Sequence, residues 1–281
     1  MKTILMGAVA YDPKVVTIWE GFREHFAKGG LDFDFVLYSN YERQVAAHLD
    51  GHIHVAWNSP LAWIQTERAA PGRKRRAEAI LMRDSDCDLT SVIVVRADSP
   101  IHGIADLRGK KIGVGASDSP QATLLPLWHI AKNGIDPYGD AEVVRHDLLV
   151  GKHGDHVGGE RVACQALLAG HVDAACIIDG NHLAFGKDGT LPPGSTRILA
   201  QTGAYDHCNF TILDDAPKKR VARFKELLLA MTYEDPAVRA LMDLEGLKAW
   251  KVGRTGGYAD LAAAIDRFGT IEPFLAELAK A

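Results

Sequence analysis

Apolar positions fall into short unbroken runs that alternate with stretches of helical period, and the alternation continues for roughly three quarters of the chain. Residues 3–10 read as a buried strand; Asp12 is an N-cap, Pro13 the first helical position, and an amphipathic stretch runs on through Phe26. Gly29 and Gly30 end that helix, and strand, helix and short strand follow at 33–38, 41–49 and 54–57. Ser59-Pro60 then caps a further helix. The same rhythm predicts strands at 91–96, 111–115, 141–145 and 173–178, and helices at 119–132 and 159–169. After about residue 214 the segments 217–231, 236–244, 258–265 and 271–279 are all helical in period, with no strand expected among them. Strands alternating with helices predict an α/β fold with mostly parallel sheets and a helical C-terminal segment.

Composition narrows this picture. The chain has 281 residues, 47% of them hydrophobic and 24% charged, and no uncharged apolar run long enough to span a bilayer, so membrane insertion is not expected. A net charge of −4 gives no electrostatic footprint for nucleic acid or an anionic membrane, so an anionic ligand would have to be bound locally. Cys87, Cys164, Cys176 and Cys208 are widely spaced and form no metal or redox motif, which suggests thiols in a reducing compartment. Residues 1–10 are too short for a secretory signal before Asp12-Pro13 opens a helix. The expectation is a cytoplasmic protein, or a periplasmic one if the chain is a processed form.

Three stretches carry a likeness that periodicity alone does not supply. They are Gly7-Ala8 with Tyr41, the turn from Val45 to Trp57 and the segment from Ser59 to Trp63; then Ile104 to Gly113; then Gln165 to Ala175. In this order they resemble the phosphonate-binding proteins of ABC transporters. The resemblance implies a two-lobed type II periplasmic-binding-protein-like fold with an interlobe cleft, one lobe made of residues 1–95 and 205–281 and the other of 96–204. It also implies a small-molecule ligand, and an ABC permease as partner if the protein is exported.

Ser59-Pro60 and Ser119-Pro120 both place a serine cap before proline, and such helix starts attract anions. The resemblance brings Tyr41, Asn58, Ser59, Trp63, Ser119, Gln121, Glu160 and Asp179 forward as ligand-binding candidates, with Trp57 more suited to the core. Where the family keeps a Ser-Thr-Ser-Gly stretch this chain has Ser119-Pro120-Gln121-Ala122, and Glu160 stands where the family has a ligand-touching histidine. That carboxylate would repel an oxyanion and suit a metal or a cationic ligand. His153, His156 and Glu160 follow an i, i+3, i+7 spacing; with His182 they form a candidate divalent-metal set, and His207-Cys208 would face the same region.

Two functions follow. One is a binding protein that closes two lobes on a polar or anionic solute. The alternative is a cytoplasmic metal-dependent enzyme on the same scaffold, a lyase, decarboxylase or hydrolase. No P-loop, nucleophile elbow or dinucleotide fingerprint is present; Gly113-Val114-Gly115 lacks the third glycine.

Overall fold

The structure is a computed structural model that describes residues 3–154 and 158–280. The buried run Ile4–Val9 forms β1, and after it the Asp12 carboxylate accepts a hydrogen bond from the Lys14 N–H at 2.8 Å. This satisfies one of the unpaired amides at the start of α1 (Lys14–Lys28), whose buried face is Val15, Ile18, Trp19, Phe22 and Phe26. The chain continues through β2 (Phe33–Tyr38), α2 (Tyr41–Leu49), β3 (Val55–Asn58), α3 (Pro60–Ala69) and β4 (Ala77–Arg83). Next come β5 (Ser91–Arg96), β6 (Lys111–Val114), α4 (Leu125–Lys132), β7 (Glu142–Arg145), α5 (Gly158–Leu168), β8 (Ala174–Ile178), α6 (Asp179–Asp188) and β9 (Thr196–Gln201). The last stretch holds β10 (Asn209–Leu213), α7 (Lys218–Leu229), α8 (Pro236–Glu245), β11 (Trp250–Val252), α9 (Ala259–Phe268) and α10 (Glu272–Leu278).

These elements form two units. Unit 1 comprises Met1–Cys87, Asp206–Tyr258 and Ile271–Ala281, and its six strands are ordered β11-β4-β10-β3-β1-β2. β1 pairs in parallel with β2 and β3, whereas β10 runs antiparallel to both β3 and β4. One face of this sheet packs on α1, where Trp19, Trp57, Phe210 and Trp250 interlock with ring centroids 4.6–6.3 Å apart. Trp57 is accordingly a core residue. Unit 2 comprises Asp88–Tyr205 and Ala259–Thr270, with five strands ordered β7-β6-β8-β5-β9. β6 is parallel to β7 and β8, and β5 is antiparallel to β8 and β9.

The sheets are therefore mixed rather than mostly parallel, because β5 and β10 enter each sheet against the direction set by the strand-helix units. The lobe limits also differ from the expected 1–95, 96–204 and 205–281. β5 pairs along its length inside the second sheet, so unit 2 begins at Asp88. α9 belongs to unit 2 because Asp260 accepts from Trp128 Nε1 at 3.2 Å and lies 2.7 Å from Lys132 Nζ, and Arg267 pairs with Asp136 at 3.3 Å. Nor is the C-terminal segment wholly helical: Trp250–Val252 adds an edge strand to β4, too short for an alternating pattern to reveal. Among the described residues no helix is long and apolar enough to cross a membrane.

Candidate functional site

On unit 1 the candidates gather where β3 ends and α3 begins. Ser59 accepts from the Ala62 N–H at 3.1 Å and Pro60 opens the helix, as the Ser-Pro pattern predicts. Asn58, fully buried just before it, sits inside a polar chain. Gln44 Nε2 donates to Asn58 Oδ1 at 2.9 Å, Asn58 Nδ2 donates to Thr211 Oγ1 at 2.9 Å, and Thr211 donates to Asn209 Oδ1 at 2.6 Å. Asn209 Nδ2 in turn donates to Tyr258 Oη at 2.9 Å, and that hydroxyl donates to the His207 carbonyl at 2.8 Å. Asn58 thus ties α2, β3 and β10 together. Tyr41 is buried with Val9, Val45, Leu49 and Leu213, and Trp63 is buried with its ring 6.0 Å from that of Tyr258.

On unit 2 the turn after β6 leads to Ser119, whose hydroxyl accepts from the Ala122 N–H at 3.2 Å. The expected single helix over 119–132 is a π turn at Pro120–Leu124 that continues into α4. Gln121 is clasped on both sides: its side chain donates to the Gly154 carbonyl, and its own carbonyl accepts from Ser91 Oγ at 2.6 Å. Ser91 Oγ is also 2.8 Å from Tyr205 Oη, and burial pushes that phenol's pKa up. Asp179 accepts from Thr90 Oγ1 at 2.6 Å, which sets the start of α6 against β5.

Glu160 is buried, and one carboxylate oxygen accepts from the Ile178 N–H at 3.1 Å and from Asn181 Nδ2 at 2.8 Å. That oxygen therefore faces the β8–α6 junction. His153 is buried at a positive φ of 52°, His182 is half-buried on α6, and His156 lies outside the described residues. Among the described residues His153, Glu160 and His182 do not form a metal-ligating group by themselves, and the full candidate set with His156 lies partly outside those residues. The cluster of that kind found among the described residues is Asp86, His207 and Cys208 on unit 1. Of these, Asp86 is the residue that the sequence reading passed over; it belongs to a polar stretch, Asp84 to Asp88, whose one clue is an arginine three positions earlier. Arg83 grips both Asp86 oxygens at 2.6 and 2.8 Å and lies 5.1 Å over the Trp57 ring. That pairing holds the Asp86 carboxyl at a pKa of about 2, against the desolvation that would raise it.

Residues 7–253 match the family described as the periplasmic substrate-binding protein of the phosphonate ABC transporter. The chain is similar in structure to PhnD1 from Prochlorococcus marinus, solved with methylphosphonate, at a TM-score of 0.71 and 15% identity over 96% of this chain and 99% of that one. A binding-protein component of an ABC phosphonate transporter from Pseudomonas aeruginosa matches at TM-score 0.63 and 12% identity, covering 99% and 97% of the two chains. The periplasmic aliphatic sulphonate-binding protein of Escherichia coli matches at 0.56 and 15%, covering 99% and 91%. These likenesses show the fold, that of two-lobed periplasmic binding proteins. The family description is periplasmic and gives no support to the cytoplasmic expectation, and nothing in these matches supports a metal-dependent enzyme.

Proposed function

Because the chain belongs to the family of periplasmic substrate-binding proteins of phosphonate ABC transporters, we propose that it captures a small solute bearing a phosphonate- or sulfonate-type oxyanion and delivers it to an ABC permease. The observation that carries this reading is the pair of buried Ser-Pro helix starts, Ser59-Pro60 after β3 and Ser119-Pro120 after β6. In each, the serine hydroxyl holds the amide three residues on, and helix starts in general direct their first amides ahead of the helix. Such amides carry the partial positive charge that an oxyanion seeks. They also lie at the carboxyl ends of parallel strands, where open α/β sheets hold ligands. One Glu160 oxygen is engaged by the Ile178 N–H and by Asn181, which ties that side of its carboxylate to the fold. With a net charge of −4, selection must come from these local dipoles rather than from the field of the whole protein. The periplasmic family description supports export and a permease partner.

Isothermal titration with methylphosphonate, ethanesulfonate and inorganic phosphate tests the reading. Saturable one-to-one binding of at least one of these, weakened several-fold in Ser59→Ala and in Ser119→Ala, is the expected result. No heat and no thermal stabilisation with any of the three at millimolar concentration would refute it.

A further inference from the structure

Asp86, His207 and Cys208, buried residues beside the chain limits of unit 1 at Cys87 and Asp206, bring a carboxylate, an imidazole and a thiol together. From this grouping we infer a binding site for a thiophilic divalent cation of the zinc class. His207 Nδ1 is 3.4 Å from Asp86 Oδ1 and 3.1 Å from Cys208 Sγ, and one donor atom from each of the three residues lies within 4.8 Å of the others. Zinc bonds of about 2.0–2.1 Å to nitrogen or oxygen and about 2.3 Å to sulfur give tetrahedral edges of roughly 3.3–3.6 Å. The two spacings from His207 Nδ1, 3.4 and 3.1 Å, lie within about 0.5 Å of those edges, and the third is bounded by 4.8 Å, so side-chain adjustment takes up the ion.

The donors are also held in place. The His207 N–H donates to the Asp86 carbonyl at 2.8 Å and the His207 carbonyl accepts from Tyr258 Oη, which fixes the backbone that carries the imidazole and the thiol. Arg83 fixes the Asp86 carboxylate by holding both oxygens, including the Oδ1 nearest His207, as outer partners of metal ligands do. Arg83 also contacts Glu245, so Arg83, Asp86 and Glu245 form one buried ion-paired group beside the donors. On binding, the thiol proton leaves to solvent, the metal–sulfur bond forms, and the fourth position takes water.

Cobalt is the probe. Untagged full-length protein, stripped with chelator, is titrated with Co²⁺ and then with zinc. One equivalent of cobalt should produce a thiolate-to-cobalt charge-transfer band in the near ultraviolet, which zinc displaces. Cys208→Ala should abolish the band and His207→Ala should weaken cobalt affinity at least 10-fold, while Cys87→Ala, at the more exposed thiol, should keep it. X-ray absorption of the wild-type zinc form needs no variant and should show one sulfur with nitrogen and oxygen neighbours. Absence of the band at a large excess of cobalt, a band that depends on Cys87, or a zinc shell without sulfur overturns the assignment.

Discussion

Glu160 Oε2 accepts from Asn181 Nδ2 at 2.8 Å and from the Ile178 N–H at 3.1 Å, so a single buried oxygen joins α5 to the end of β8 and the start of α6. Glu160→Gln replaces a charged acceptor by a neutral one that also brings two donors of its own. It should cost roughly 1.5–3 kcal/mol, the worth of hydrogen bonds to a charged group. Urea unfolding measures this. Because Oε2 is held by these two bonds within the fold, affinity for methylphosphonate should change less than tenfold in the same variant. A large loss of affinity with unchanged stability would mean that Glu160 touches the ligand.

Gly159 is packed against backbone. A Cβ at that position would stand 2.2 Å from the His146 carbonyl oxygen and 2.8 Å from Gly115 Cα, and neither atom can move aside as a flexible side chain would. Gly159→Ala should therefore lower stability by about 1–3 kcal/mol or more through overpacking. Thermal unfolding compared with Gly180→Ala, where a Cβ meets nothing within 4 Å, separates this crowding from the general effect of losing a glycine.

His48 is buried on α2, and burial, reinforced by the nearby Arg75 charge, pushes its pKa down to about 3. The unfolded chain protonates this imidazole near pH 6.5, so the unfolded state binds more protons between that value and about 3. Its contribution to stability is complete above pH 6.5 and is lost as the pH falls, at up to about 1.4 kcal/mol per pH unit. Chemical denaturation at pH 7 and pH 4.5 should show a fall that His48→Leu reduces. An equal fall in wild type and variant would place the acid sensitivity elsewhere.

The alternation of buried runs and amphipathic stretches made the strand-helix units legible, and Ser-Pro signatures located both helix starts to the residue. Other features were hidden for physical reasons. β11 is three residues long and depends on pairing with β4, and α9 chooses unit 2 through Asp260 contacts with Trp128 and Lys132 that lie over a hundred residues away. Glu160 stands at the position of a family histidine, and one of its oxygens is held by the Ile178 amide and Asn181, partners that the spacing did not reveal. Spacing shows which residues share a helix face; it does not show which donor from another element meets them. The Asp86, His207 and Cys208 cluster joins positions 121 residues apart, a meeting that only tertiary pairing creates.

Asn58 provides the clearest case of a candidate whose polar atoms are committed to the fold. Its amide donates to Thr211 and its carbonyl accepts from Gln44, and all three side chains are fully buried. Thr211→Val keeps the shape but leaves the Asn58 donor and the Asn209 acceptor without that hydroxyl, at a cost of about 1–3 kcal/mol for each buried group stranded. Asn58→Leu removes one bond from each of Gln44 and Thr211, which keep their bonds to the Trp57 carbonyl and to Asn209. In the double variant the mutual partner is gone from both sides, so the combined loss should fall short of the sum by about 0.5–3 kcal/mol. Denaturant unfolding of the four proteins in the cycle measures that coupling. Additivity within about 0.5 kcal/mol would show that the chain of hydrogen bonds does not act as one network.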